Sequence, residues 1–411
     1  MGNKQCRFCA QPLRYSFVDL GMSPLSNAYL KEENLQDMER FYPLHAYVCE
    51  SCFLVQLEEF ESPENIFREY AYLSSYSDTW LKHAQNYTEL MIQRFGLNPP
   101  QLVVELASND GYLLQYFREK GFTVLGVEPA VNAARVAEEK GIPTVTGFFG
   151  AKAARELTEE GKQADLLVGN NVLAHVPDLN DFVEGMNIIL KPAGVITLEF
   201  PHLVQLMAGR QFDTIYHEHF SYFSFTTVEK VFDAHGLTLF DVEELPTHGG
   251  SLRIYARHKE DTSRSLTERV AGLKRREEAF GIADLNTYQN FAERVKETKR
   301  KILDFFISVK GEGKRIAGYG APAKGNTLLN YCGIGTDFLD YTVDRSPHKQ
   351  GHFLPGTHIP VEHPDKVRET KPDYLVILPW NLKDEIMTQM NSIRDWGGKF
   401  VVLIPEVEVI S

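Results

Sequence analysis

Positive charge is in short supply in this sequence: 43 Lys and Arg stand against 56 Asp and Glu, a formal net charge of -13. Grip on nucleic acid without sequence preference needs a basic face, so this balance argues against that partner. Long apolar runs are missing too. No stretch approaches the roughly 20 residues that cross a bilayer, and the N-terminus has no signal-peptide core. No membrane partner is expected, and a cytoplasmic setting is. Cysteine is rare, five in 411 residues, which excludes a disulfide-stapled scaffold. No pair of histidines stands four residues apart around a glutamate, the helical spacing that places both on one zinc.

The few cysteines are not scattered. Cys6-Arg7-Phe8-Cys9 and Cys49-Glu50-Ser51-Cys52 form two Cys-x-x-Cys knuckles, and Cys332 stands apart in an apolar helical segment. Two knuckles beside strand-like segments complete a tetrahedral four-cysteine zinc site, as in a zinc ribbon. A redox pair or disulfides are the alternatives, disfavoured in a cytoplasmic chain. Four protein ligands leave no open position, so Cys6, Cys9, Cys49 and Cys52 would hold a structural zinc. The first domain is placed at residues 1–74, with Pro24 and Ser26 in a turn. The aromatic, serine-rich run that follows Phe67 contains Tyr70, Tyr72 and Tyr76, whose hydroxyls either line a cleft or pack between domains.

From about residue 75 to 255 the pattern becomes strand, turn, helix, repeated. A helix is expected over Trp80–Phe95. Strand Leu102–Leu106 carries Glu105, a tight turn follows at Ala107-Ser108-Asn109-Asp110-Gly111, and a second strand ends in Glu128-Pro129. Further strands are expected at Pro143–Thr146, Ala164–Val168 and Gly194–Phe200. This α/β order predicts a doubly wound parallel sheet with its ligand at the C-terminal strand ends. Small turn residues let a ligand approach the backbone, and Glu128 can accept both ribose hydroxyls. The turn lacks Gly-x-Gly-x-x-Gly, which favours S-adenosylmethionine (SAM) over NAD. Gly147, Phe148 and Phe149 follow the third strand and can hold adenine against a ring. Asn170, Asn171 and His175 follow the fourth, and His202 closes the fifth.

The densest polar cluster is Tyr216-His217-Glu218-His219-Phe220-Ser221-Tyr222. Histidine exchanges protons near neutral pH, and a neighbouring carboxylate can orient it. Alone, such a run is also what an ordinary polar loop looks like. Next come His248-Gly249-Gly250-Ser251-Leu252-Arg253, where two glycines admit a ligand and Arg253 can pair with a carboxylate or phosphate. A β-turn into the last strand of the sheet accounts for the same residues.

Residues 256–411 open with a charged helical region, Ser263–Ser308, interrupted near Gly281. A second α/β pattern follows, with strands expected around Arg315–Gly318, Phe338–Val343, Asp373–Leu378 and, last, Phe400–Ile404. A glycine-rich turn, Tyr319-Gly320-Ala321-Pro322-Ala323-Lys324, precedes a helix and can cradle phosphate. Lys324 and Lys349 would add charge, with Asp344, Trp380 and Asn381 at the same rim. NAD is the competing reading of that turn.

In this order the two Cys-x-x-Cys knuckles, Glu-x-Ala-Ser-Asn-Asp-Gly, Asn-Asn-Val-x-Ala-His-Val, Tyr-His-Glu-His-Phe-Ser-Tyr and His-Gly-Gly-Ser-Leu-Arg resemble the SAM-dependent sugar C-methyltransferases. Those enzymes act on nucleotide-linked 4-keto-deoxysugars, and the resemblance runs through the whole chain. It implies three domains: a zinc domain, a class I SAM methyltransferase sheet, and a C-terminal Rossmann-like domain that holds the nucleotide diphosphate of the sugar. It also implies a catalytic role for His219 as base, with Glu218 orienting it or the sugar. Tyr216 would face the ketone oxygen or carry a second proton, with Tyr76 and His175 in support. Tyr222, His202, His248, Gly249, Ser251 and Arg253 would join the sugar site, together with Tyr319, Gly320, Ala321, Lys324, Asp344, Lys349, Trp380 and Asn381. A monomer is expected, since three domains can enclose the site. Two other functions fit parts of the pattern: a zinc-bearing SAM-binding scaffold, and an O- or N-methyltransferase.

Overall fold

The computed structural model describes residues 4–67, 73–76 and 78–411. Tyr70 and Tyr72 lie outside the described residues. The first sheet is antiparallel, with Tyr15–Ser23 beside Tyr42–Val48 and that strand beside Val55–Leu57. Its fourth strand comes from far along the chain: Ser221–Tyr222 pairs antiparallel with Val55 and Gln56. The end of the His-Glu-His stretch is therefore an edge strand of the cysteine-bearing unit.

The middle sheet has seven strands in the spatial order Leu237–Leu245, Ser251–His258, Leu190–Pro201, Ala164–Asn170, Leu102–Leu106, Thr123–Glu128, Thr144–Thr146. Six run in one direction, and Ser251–His258 runs antiparallel to both of its neighbours. Helices cover both faces, which is why strands such as Leu-Val-Val-Glu-Leu read as mainly apolar runs rather than alternating ones. The helix expected over Trp80–Phe95 spans Asp78–Phe95.

The last sheet orders Val361–Glu362, Thr342–Val343, Ile316–Tyr319, Tyr374–Ile377, Lys399–Val402 and Glu408–Ile410, parallel except for the final pair. Two expectations change here. The strand placed at Phe338–Val343 is only Thr342–Val343, because Phe338 and Leu339 N–H groups bond back to Gly335 in a turn. The last strand is not Phe400–Ile404 but Glu408–Ile410, which folds back as an antiparallel edge. The connecting region forms Glu268–Phe280 and Leu285–Gly311, separated where Gly281 adopts φ +90°, a left-handed cap that glycine takes without a Cβ clash.

The long helix Leu285–Gly311 ties the ends of the chain together. Phe17 of the first sheet stacks on Phe291 at 4.6 Å, inside a core shared with Ile302, Ile316 and Leu328. The C-terminal strand ends of the two parallel sheets meet the His-Glu-His stretch at one rim. Among the described residues no helix is long and apolar enough to cross a membrane.

Candidate active site

The four knuckle cysteines converge, with their sulfurs all within 4.8 Å of one another. A tetrahedron of about 2.3 Å Zn–S bonds has edges of about 3.8 Å. The Cys6–Cys52, Cys9–Cys49 and Cys9–Cys52 separations are 3.5, 3.5 and 3.7 Å. The residues fit a four-thiolate zinc, and no ligand position is left for a substrate.

At the middle-sheet rim, Ala107, Asn109 and Gly111 all take positive φ, so the turn after Leu102–Leu106 is tight and backbone-lined. Glu128 accepts the Asn109 N–H through one oxygen and the Ala130 N–H through the other, both at 2.8 Å. Each oxygen keeps a lone pair for a ribose hydroxyl. Glu105 is fully buried, and burial with the charges of Glu128 and Asp110 pushes its carboxyl well up. Glu105 Oε2, Ser108 Oγ, Asp110 Oδ1 and both amide atoms of Asn170 are buried without a partner. A carboxyl-lined, under-satisfied cradle suits a ligand bearing a sulfonium and an ammonium, whose charge would favour the ionised carboxylates, so these residues fit SAM. Asp110 is tied to Lys140 at 2.9 Å and to Ser75, which closes the turn from outside. Pro129 is half-buried beside Glu128, and Gly147 extends the rim. The two phenylalanines part company: Phe148 is 46 % exposed, whereas Phe149 sits edge-on to Phe182 at 5.5 Å. Phe149 is thus a packing residue, and only Phe148 remains open to an adenine. At the same rim the Asn171 amide lies 3.2 Å from His248 Nε2.

In the central stretch the histidine geometry fixes proton positions. His219 Nδ1 lies 3.0 Å from the Thr214 carbonyl, and that oxygen can only accept, so Nδ1 carries the hydrogen. Nε2 then presents a lone pair, which accepts the Tyr216 hydroxyl at 2.9 Å. His175 stands edge-on to His219 at 4.7 Å. Burial, followed by the neighbouring His175, holds His219 well below the ordinary histidine range, and enclosure brings His175 to about 4. Both rings are neutral at neutral pH.

Glu218 does not orient His219; the Thr214 carbonyl does. The Glu218 carboxylate turns the other way, accepting from Asn27 Nδ2 at 2.6 Å, and burial raises it to about 7 against the pull of Lys349. Tyr76 is 64 % exposed and lies 5.9 Å from the His348 ring, at the outer lip. Tyr222, edge-on to His219 at 6.1 Å, backs the site from the edge strand.

Several residues expected to face substrate are turned inward. Arg253 is 4 % exposed; its Nε donates to Glu199 at 2.7 Å and a terminal nitrogen lies 3.2 Å from Glu243. His202 pairs with Glu277 at 2.8 Å, and that carboxylate also takes the Phe225 and Thr226 N–H groups at a helix start. Ser251 Oγ donates to the Thr247 carbonyl at 2.9 Å. Tyr319 is buried in the C-terminal core with its hydroxyl on Gln389 at 2.8 Å. Gly320 packs on Pro379, and the Ala321 N–H donates to Asp344 at 2.8 Å. That acid therefore occupies a donor expected to cradle phosphate.

Other C-terminal residues do reach the rim. Lys324 donates to Asn381 Oδ1 at 2.8 Å and lies 4.7 Å over the Trp380 ring, with burial lowering its pKa and Asp213 raising it. Lys349 donates to the Ala321 carbonyl at 2.8 Å and faces Glu218 and Asp344. Gly249 lies beside Trp380, and His248, at φ +54°, stands edge-on to Trp80 at 5.5 Å.

Asn27, Tyr29 and Asp213 were not singled out from the sequence. Tyr29 donates to the Ala321 carbonyl at 2.5 Å, and Asp213 accepts from Trp380. His83 lies 2.8 Å from Glu199 and stacks on Trp80 at 4.8 Å. Nothing local marks these residues; they matter through partners roughly 100 or more positions away, and only the Pro24–Ser26 turn hinted at the first.

Family models match a zinc binding domain at residues 6–67, a methyltransferase domain at 80–242 and a C-methyltransferase C-terminal domain at 246–405. The chain is 36% identical over 407 residues to C-methyltransferase NovU of Streptomyces niveus, covering 99% of this chain and 97% of that protein. Among solved structures, PH0226 of Pyrococcus horikoshii OT3 is 19% identical, spans 49% of this chain and 100% of that one, and gives a TM-score of 0.38. Magnesium protoporphyrin IX methyltransferase (ChlM) of Synechocystis PCC 6803 with bound SAH is 15% identical over 47% of this chain and 91% of that one, at a TM-score of 0.35. These partial structural likenesses are too low to bear on function.

Proposed function

The chain belongs to the SAM-dependent C-methyltransferases that carry a zinc-binding domain, and from that premise we propose that it methylates C3 of a nucleotide-linked 4-keto-deoxysugar through an enolate. When bound, SAM supplies an electrophilic methyl group. A sugar carbon receives it only once it is nucleophilic, and a ketone at C4 allows this by acidifying the C3 proton. The observation that supports the reading most is the Tyr216–His219 pair, with the Nε2 lone pair aimed at the Tyr216 hydroxyl and Nδ1–H held by Thr214.

The pair moves a proton as a unit. His219 Nε2 takes a proton either from C3 directly or from Tyr216 as that hydroxyl takes it, and the C4 oxygen gathers the resulting charge. A neutral histidine of low pKa is a weak base by itself, so a neighbouring donor for the C4 oxygen is required, and His175 and Tyr216 are the groups beside it. Lys324 and Lys349 bring positive charge to the same rim, in keeping with a diphosphate-bearing substrate. Holding the two reactants together accounts for much of the remaining rate.

Offering the purified protein SAM with a dTDP-4-keto-deoxyhexose and, in parallel, the matching 4-hydroxy sugar tests the reading. Transfer to the 4-keto form alone is expected. Equal transfer to both would show that no enolate is needed and would point to a heteroatom acceptor.

A further inference from the structure

The zinc knuckle and the histidine pair are joined by one side chain. Arg7 stands between the metal ligands Cys6 and Cys9, yet its guanidinium leaves the knuckle. One arm donates to the Pro177 carbonyl at 2.7 Å, two residues past His175. The other donates to the Leu57 carbonyl at 2.5 Å, in the strand that receives the His-Glu-His stretch. Its plane lies 5.5 Å over the ring of Phe220, the residue after His219.

Phe220 is itself held from both sides. Its N–H donates to the Ala174 carbonyl at 2.7 Å, and its carbonyl accepts the Leu57 N–H at 3.0 Å. The segments bearing His175 and His219 are thus bonded to each other through Phe220 and Ala174, and the guanidinium spans the two strands of chain that flank this bond. Gln56 completes the link to the metal site: its amide donates to Cys6 Sγ at 3.2 Å, its oxygen accepts the Arg7 N–H at 2.9 Å, and its backbone pairs with Ser221.

We propose that Arg7 is a positioning residue for the His175–His219 pair, so that the knuckle fixes the geometry of proton transfer as well as the fold of its own domain. The inference rests on the reading of His219 given above. Only a planar fork with donors on both arms can hold two carbonyls and an aromatic face at once.

The test compares Arg7→Met and Arg7→Lys with the parent, each loaded with zinc. Zinc content, SAM dissociation constant, kcat and KM for a dTDP-4-keto-deoxyhexose, and the His219 tautomer by long-range proton–nitrogen NMR are read together. Zinc content and SAM affinity are expected to hold within about two-fold, while kcat falls about 10- to 100-fold, as when an outer partner of a site is removed. The single Nδ1–H signature of His219 is expected to give way to mixed tautomers. Parental kcat with an unchanged tautomer overturns the proposal. So does a rate loss that tracks loss of zinc in both variants, since Arg7 would then support the knuckle alone. If the sugar is not the substrate, the parent itself shows no turnover, and the tautomer signal still decides the role of Arg7.

Discussion

Trp380 donates its indole N–H to Asp213 across 2.7 Å, fastening the rim of the last sheet to the turn that leads into the His-Glu-His stretch. Burial holds Asp213 at about 6, with Lys324 opposing that rise. The same indole carries Lys324 over its face, so this one joint sets where C-terminal charge stands relative to His219.

Gly249 is what allows the joint to close. It sits at φ +89°, and a Cβ there would lie 2.4 Å from the Trp380 ring and 2.9 Å from the Gln211 amide. Gly249→Ala is expected to cost about 1–3 kcal/mol of stability and to weaken nucleotide-sugar binding while sparing SAM. Urea unfolding and two parallel binding titrations check this. Equal loss of both affinities would show that the joint does not separate the two ligands.

Tyr216 and His219 are expected to behave as a unit. His219→Asn and Tyr216→Phe should each lower kcat by about 100- to 10,000-fold, and the double variant should be little worse than either single one. SAM binding should be intact in all three. A Tyr216→Phe variant with most of its rate would leave His219 acting alone.

Glu218 gives a pH dependence of definite sign. Its carboxyl titrates near 7 in the fold, raised first by burial, with Asn27 and Lys349 facing it. Between its unfolded value and about 7 the native state binds more protons than the unfolded one, so this residue's contribution to stability falls as pH rises through that window. Glu218→Gln, which imitates the protonated form, should be the more stable protein at pH 8, by at most about 3 kcal/mol, and should approach the parent near pH 4. Denaturation midpoints across this range decide it, and a variant less stable than the parent at pH 8 would contradict the assignment.

The sequence showed what depends on near neighbours. Two Cys-x-x-Cys knuckles announce a metal site because spacing alone sets their reach, and Glu105, the Ala107–Gly111 turn and Glu128 declare a nucleotide rim by strand-turn-helix order. Direction was harder to read. Arg253 and His202 look like ligand contacts in a motif, but Glu199 and Glu277, 54 and 75 residues away, bond them inside the protein. Glu218 stands beside His219 in sequence, yet the chain turns between them and its partner is Asn27, 191 residues distant. Asp344 illustrates the same limit: nothing in the glycine-rich turn reveals that a carboxylate from the next strand already accepts the Ala321 N–H.

The central claim is carbon methylation by way of an enolate. The most direct measurement incubates the protein with a dTDP-4-keto-deoxyhexose in deuterium oxide, with and without SAM, and follows the sugar by NMR and mass spectrometry. The account predicts a carbon-bound methyl at C3 with SAM, and solvent deuterium at C3 in sugar left unmethylated. A methyl group on oxygen or nitrogen, with the C3 proton retained, would contradict it.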